Sequence, residues 1–152
     1  MSLGIDEAKE KELKIEREVD ASYNTLRIIW LGVLSILIAI FILTRLVKPE
    51  SANLKMLFWI LLALGLVDLG ASFVLKQMLL KKAIAQEKVE QARSAYIVAF
   101  ALCESIGLLG LVAHFVAGVE QYYFLFVLSG FGILLHKPER GDLLMATGAN
   151  KI

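Results

Sequence analysis

Residues 95–118 read Ala-Tyr-Ile-Val-Ala-Phe-Ala-Leu-Cys-Glu-Ser-Ile-Gly-Leu-Leu-Gly-Leu-Val-Ala-His-Phe-Val-Ala-Gly, an apolar run broken by one carboxylate, Glu104. No other Asp, Glu, Lys or Arg lies between Arg93 and Glu120. A helix that crosses a bilayer needs about 20 apolar residues, and this run supplies them. An ionisable group at that depth costs roughly 2.5 kcal/mol or more on insertion scales, so it faces a helical partner, a cavity or an ion path.

Three further apolar runs stand beside it. Ile28–Thr44 is bounded by Arg27 and Arg45, and Met56–Leu75 by Lys55 and Lys76. Tyr122–Leu135 is the shortest, and Gln121 and His136 extend it toward the minimum. A lone strand would leave its backbone groups unpaired in lipid, so the spans are expected to be helices. The whole chain agrees: 58% of its 152 residues are hydrophobic, against about 45–50% in a soluble domain, and the mean hydropathy is +0.69. The expected fold class is all-α, a four-transmembrane-helix bundle with a charged N-terminal helix. Its parts are a cytoplasmic charged helix over 1–27, a transmembrane domain over 28–136 and a cytoplasmic tail over 137–152.

The first 26 residues hold seven acids and four bases. A cleavable signal would instead open on a short basic region followed by 7–15 apolar residues. The segment Asp6–Val19 lacks Pro and is rich in Glu, Lys and Leu, so it is expected to form a solvent-exposed or membrane-surface helix, with partner binding as the alternative, supported by Glu10 and Lys14 at i,i+4. Its apolar positions Leu13, Ile15 and Val19 are too few for a strong membrane anchor.

Net charge is +1, yet the charges are segregated. In a four-span topology, thirteen of the sixteen basic residues fall on the side of the termini and the 76–93 connection, and Arg45, Lys48 and Lys55 fall on the other. The positive-inside bias places both termini in the cytoplasm, in a bacterial inner membrane. The 76–93 connection has no Gly or Pro and should be helical, apart from a tight turn near Lys81–Gln86. Pro49 should stop a helix, and Ser51 or Asn53 should cap the next. The Val119-Glu120-Gln121 turn makes spans three and four antiparallel neighbours. The tail from Lys137 reads as irregular, interrupted by Pro138, Gly141 and Gly148.

Asp68 lies eight residues from Lys76, and Glu104 eleven from Arg93. At about 1.5 Å per residue these acids reach similar depths, roughly 12 and 16 Å from the boundary. Two carboxylates close together in low dielectric do not both ionise. They are expected to serve either as neutral interhelical hydrogen-bonding groups or as a proton or sodium site. No metal is expected, since His114 is about 15 Å beyond Glu104. Gly65, Gly70, Ala101, Ser105, Gly107 and Gly110 are candidates for close helix packing. Cys103, the lone cysteine, reads as a small hydrophobe and excludes an internal disulfide. Zinc, P-loop and dinucleotide motifs are absent, as is any nucleophile–base set, so neither a cofactor nor an enzyme is expected. The partners expected are the lipid bilayer and other membrane subunits or further copies of the chain. Nucleic acid is not, because the basic residues mark topology.

The segments Ala101-Leu-Cys-Glu104-Ser105 and Gly110-Leu-Val112, preceded by a polar loop with Gln86 and Arg93, resemble the proteolipid (c-ring) subunit of rotary ATPases. The resemblance covers residues 70–120, and Asp68 in Gly65-Leu-Val-Asp68 looks like a second, weaker copy. It implies a helical hairpin whose Glu104 carries an ion. The chain departs from that family in lacking a glycine at every second residue of span two and the Arg-Gln-Pro of its loop. Only Glu104 therefore carries over. The function expected is a non-catalytic structural or accessory subunit of a larger membrane complex; the alternative is an ion-translocating subunit.

Overall fold

The computed structural model describes residues 3–48 and 54–148, with side chains from Lys9 onward. It contains five α-helices: α1 Leu3–Leu46, α2 Lys55–Gln86, α3 Val89–Phe115, α4 Tyr123–Leu135 and α5 Arg140–Met145, with a 3-10 turn at Glu120–Tyr122 before α4. Among the described residues there is no strand. Helices α1, α2 and α3 are each long and apolar enough to cross a membrane, and α4 is apolar but shorter. The chain has the architecture of a membrane protein. Its exterior agrees, for Ile28, Leu46, Met56 and Val67 are 66–79% exposed. Such apolar surface is far more than a soluble monomer shows and is ordinary in contact with lipid.

Helix α3 is the central element, paired with α2 in an antiparallel hairpin and covered by α4 and α1. It buries residues along most of its length, from Val89 to His114. Among its described side chains, helix α1 buries only a stripe, Val19, Leu26, Leu37 and Thr44. Those positions are spaced 7, 11 and 7 apart, which keeps them on one face of a 3.6-residue helix. The charged segment and the first apolar run form one uninterrupted helix of 44 residues, about 66 Å long. Its charged part is not solvated all round: Leu13 is 52% exposed, but Ile15 is half-buried and Val19 fully buried.

Two cores follow. One joins Leu37, Phe58, Leu61, Ile106, Leu125, Phe126 and their neighbours from the four apolar helices. The other gathers Val19 and Leu26 of α1, Ala83 of α2, Ala92, Tyr96 and Phe100 of α3, and Leu143 and Ala146 at the tail, closing the end of the bundle near the α2–α3 turn.

Three expectations are corrected. The turn between α2 and α3 lies at Glu87–Lys88, beyond Lys81–Gln86, because those residues are good helix formers and Ala83 is anchored in the core. Glu87 takes a left-handed φ of 53°, and the Glu87 and Lys88 N–H groups donate to Ile84 and Ala83, closing the helix end. Helix α3 stops at Phe115 rather than Val119, since Gly118 turns with φ 60° and the Ala117 carbonyl accepts from Leu54 N–H at 2.9 Å. The described part of the tail, to Gly148, is not irregular throughout. Despite Gly141, residues 140–145 form α5, since burying Leu143 and Ala146 outweighs weak intrinsic propensity. Pro49, Ser51 and Asn53 lie outside the described residues.

The small residues divide by face. A Cβ at Gly65 would lie 3.1 Å from Ile106, one at Gly107 would collide with Leu37, and one at Gly110 would lie 2.9 Å from Phe126. Gly70 has nothing within 4 Å, and Ala101 is exposed. The tightest approach of α4 is at Gly132, where a Cβ would lie 2.8 Å from both Cys103 Sγ and Leu69 Cδ1. Gly132→Ala should therefore lower stability by about 1–3 kcal/mol, whereas Gly70→Ala should raise it by up to about 1 kcal/mol through helix propensity. Melting temperatures in one detergent check this, and similar values for the two variants would contradict the close approach.

Candidate functional site

The acids of α2 and α3 occupy different environments. Both are half-buried. Ser105 Oγ lies 3.0 Å from Asp68 Oδ2 and 2.7 Å from the Leu102 carbonyl. The Ser105 hydroxyl is shared between the Asp68 carboxyl and the Leu102 carbonyl. Ser105 thus ties α3 to α2 at the level of Asp68. Glu104, the preceding residue, lies 100° around the helix. It sits between the buried Phe100 and Gly107 on one side and the exposed Ala101 and Leu108 on the other. Among the described residues Glu104 has neither a hydrogen-bond nor an ion-pair partner, and no contact ties it to Asp68.

The fully buried polar groups lie elsewhere. His136, one residue past α4, packs its ring 4.4 Å from that of Phe73. His136 Nδ1 is 2.7 Å from the Gly132 carbonyl, which only accepts, so Nδ1 carries a proton and donates. His136 Nε2 faces Ser72 Oγ at 3.4 Å, and Cys103 Sγ lies 3.7 Å from that hydroxyl. Ser72 Oγ donates to Leu69 and Ser129 Oγ to Cys103, both to backbone carbonyls at 2.7 Å. Helices α2, α3 and α4 therefore meet through a compact set of mutually satisfied groups. Among the described residues, no group of three or more His, Cys, Asp or Glu could hold a metal ion.

Two more long-range bonds fix α1. Trp30 Nε1–H donates to the Ile133 carbonyl at 2.8 Å. His114 Nε2 donates to the Val47 carbonyl at 2.8 Å, which serves an orphan acceptor beyond the end of α1. Below them, Tyr96 organises the tail. Its hydroxyl donates to Asp142 Oδ2 at 2.6 Å and accepts from Glu139 N–H at 3.1 Å, while Lys76 Nζ lies 4.1 Å from the centre of its ring. Outside the apolar core, Arg140 Nε donates to Asp20 Oδ1 at 2.8 Å, and this bond holds the guanidinium above its ordinary pKa.

No family model, curated protein or solved structure matches this chain. Its chemistry is read from its own geometry.

Sequence reasoning singled out Asp68, Glu104 and Ser105, but not the Ser72–Cys103–His136 set or the Tyr96–Asp142 bond. These groups are 31 to 64 residues apart in the chain, and no local spacing announces them. The nearest signal was the presence of polar side chains at depths where each must find a partner.

Two measurements test these contacts. A double-mutant cycle of Asp68→Asn and Ser105→Ala should return a coupling of about 0.6 kcal/mol, the typical interhelical value in membranes; zero coupling would separate the two residues. Tyr96→Phe should release α5 at a cost of about 1.5–3 kcal/mol, the worth of a charge-assisted hydrogen bond. Limited proteolysis should then cut near residues 137–146 faster than in the parent chain, with the helical content preserved.

Proposed function

We propose that the chain is a small integral membrane protein of four spans, with both termini in the cytoplasm. It serves as a non-catalytic structural or accessory subunit of a larger membrane complex, built from copies of itself or from other subunits. The observation that carries this reading is Glu104. A carboxyl well inside an apolar helix, at the margin of the exposed face and without a partner in the described chain, calls for a partner outside it. The polar groups that hold the four apolar helices together are otherwise paired internally, and no buried side-chain nitrogen or oxygen among the described residues lacks a hydrogen bond. The fourth span is α4 with its preceding turn, a short apolar element that shares a core with the three long ones. The excess of thirteen basic residues against three supports the orientation, and the bacterial inner membrane is the setting proposed.

A second reading rests on the same residue. As in the proteolipid hairpin that residues 70–120 resemble, the Glu104 carboxyl would load and release a proton or sodium ion at the margin of the exposed face. Glu104→Gln separates the readings. Under the subunit reading, native mass spectrometry of the gently solubilised protein shows the assembly broken down or depleted of partners, with the fold intact. Under the carrier reading the assembly persists, and proton or sodium transfer in vesicles is lost. An unchanged assembly with unchanged ion transfer would reject both.

A further inference from the structure

An apolar groove of about 610 Å³ runs between α2 and α4 on the side of the α1–α2 connection. Trp59, Leu62 and Leu66 line one wall and Phe124 and Phe131 the other, and two hydrophilic residues, Lys55 and Gln121, stand together at one end. Its size is that of a small-molecule site. Its length decides what fits. From Lys55 to Leu66 is eleven residues, about 16 Å along α2, and from Gln121 to Phe131 is ten, about 15 Å along α4. That is half of a hydrocarbon core about 30 Å thick. A partner's transmembrane helix would need a groove through both leaflets, whereas a lipid needs only one.

We propose that this groove holds a glycerophospholipid of that leaflet, with an acyl chain along Leu62, Leu66 and Phe131 and its phosphate at Lys55 and Gln121. The inference rests on the membrane-spanning reading. Lys55 makes no ion pair among the described residues, so its ammonium is available to a phosphate oxygen. The amide of Gln121 adds hydrogen-bond donors. Glu120, exposed and flanked in sequence by the lining residues Val119 and Gln121, brings a negative charge to that end of the groove. That charge favours a headgroup bearing an amine beside its phosphate over one that is only anionic. Trp59, 65% exposed, offers the apolar body and polar N–H that suit an interfacial position.

The test uses the full chain in mild detergent, supplied with phosphatidylethanolamine and, separately, phosphatidylglycerol. Native mass spectrometry should show one retained lipid, with the ethanolamine headgroup preferred. Lys55→Gln should weaken retention by about tenfold, the loss of one charge-assisted hydrogen bond, and Leu62→Trp should displace the acyl chain. A phosphatidylethanolamine with a photoreactive acyl chain should label residues 55–66 and 121–131 of the unmodified protein, a result that does not depend on the variants folding. Equal retention by the parent chain and both folded variants, labelling spread over the exposed face of α1, or cross-links to a second polypeptide in the groove would each overturn the proposal. Carbonate extraction of the same membranes separates this failure from failure of the spanning reading: a protein that stays in the pellet yet binds no lipid in the groove is a membrane protein without this site.

Discussion

The approach of α4 to the α2–α3 hairpin at Gly132 governs much of the rest. There is no room for a side chain at that position, where Cys103 and Leu69 press against the backbone. Because the helices meet this closely, Ser129 reaches the Cys103 carbonyl, His136 lies against Ser72, and Trp30 of α1 spans to the end of α4. In water such contacts would compete with solvent and add little. In an apolar surrounding, van der Waals contact and internal hydrogen bonds are the main forces left to associate helices. Small residues at the crossings and polar groups beside them are thus two aspects of one requirement.

The same requirement sorts the ionisable groups. Asp68 meets Ser105 inside the chain, and Tyr96 meets Asp142 where the bundle gives way to its charged end. Glu104 is left at the boundary of the exposed face. Its contrast with Asp68 comes from a rotation of one residue along α3, which sends Ser105 toward α2 and Glu104 toward the margin between buried and exposed residues. The two acids share a depth without sharing a site.

How much of this was legible in the sequence depends on the range of the signal. The apolar runs and their flanking charges marked the three long apolar helices and the shorter α4, since length and hydropathy are local properties. The ends were less legible: α2 outran the expected turn because nothing between Lys81 and Gln86 breaks a helix, and α3 stopped early at Phe115, ahead of the turn at Gly118. The candidate small residues were recognisable by type but not by face, so Gly65, Gly107 and Gly110 sit at helix crossings while Gly70 and Ala101 point outward. The tail misled most. Pro138, Gly141 and Gly148 suggest irregular backbone, but Leu143 and Ala146 find a pocket assembled from α1, α2 and α3. No window of sequence contains that pocket.

The composition of that pocket sets an order in time. Synthesis runs from the N-terminus, and earlier segments fold before later ones emerge. Val19 and Leu26 are made before Leu143 and Ala146, yet all are fully buried in one cluster. Helices α2 and α3 cover part of the stripe on the long first helix, and the part that Leu143 and Ala146 cover stays open in a chain halted before residue 143. The docking of α5 thus completes a cluster that an intermediate lacking residues 143–146 cannot close.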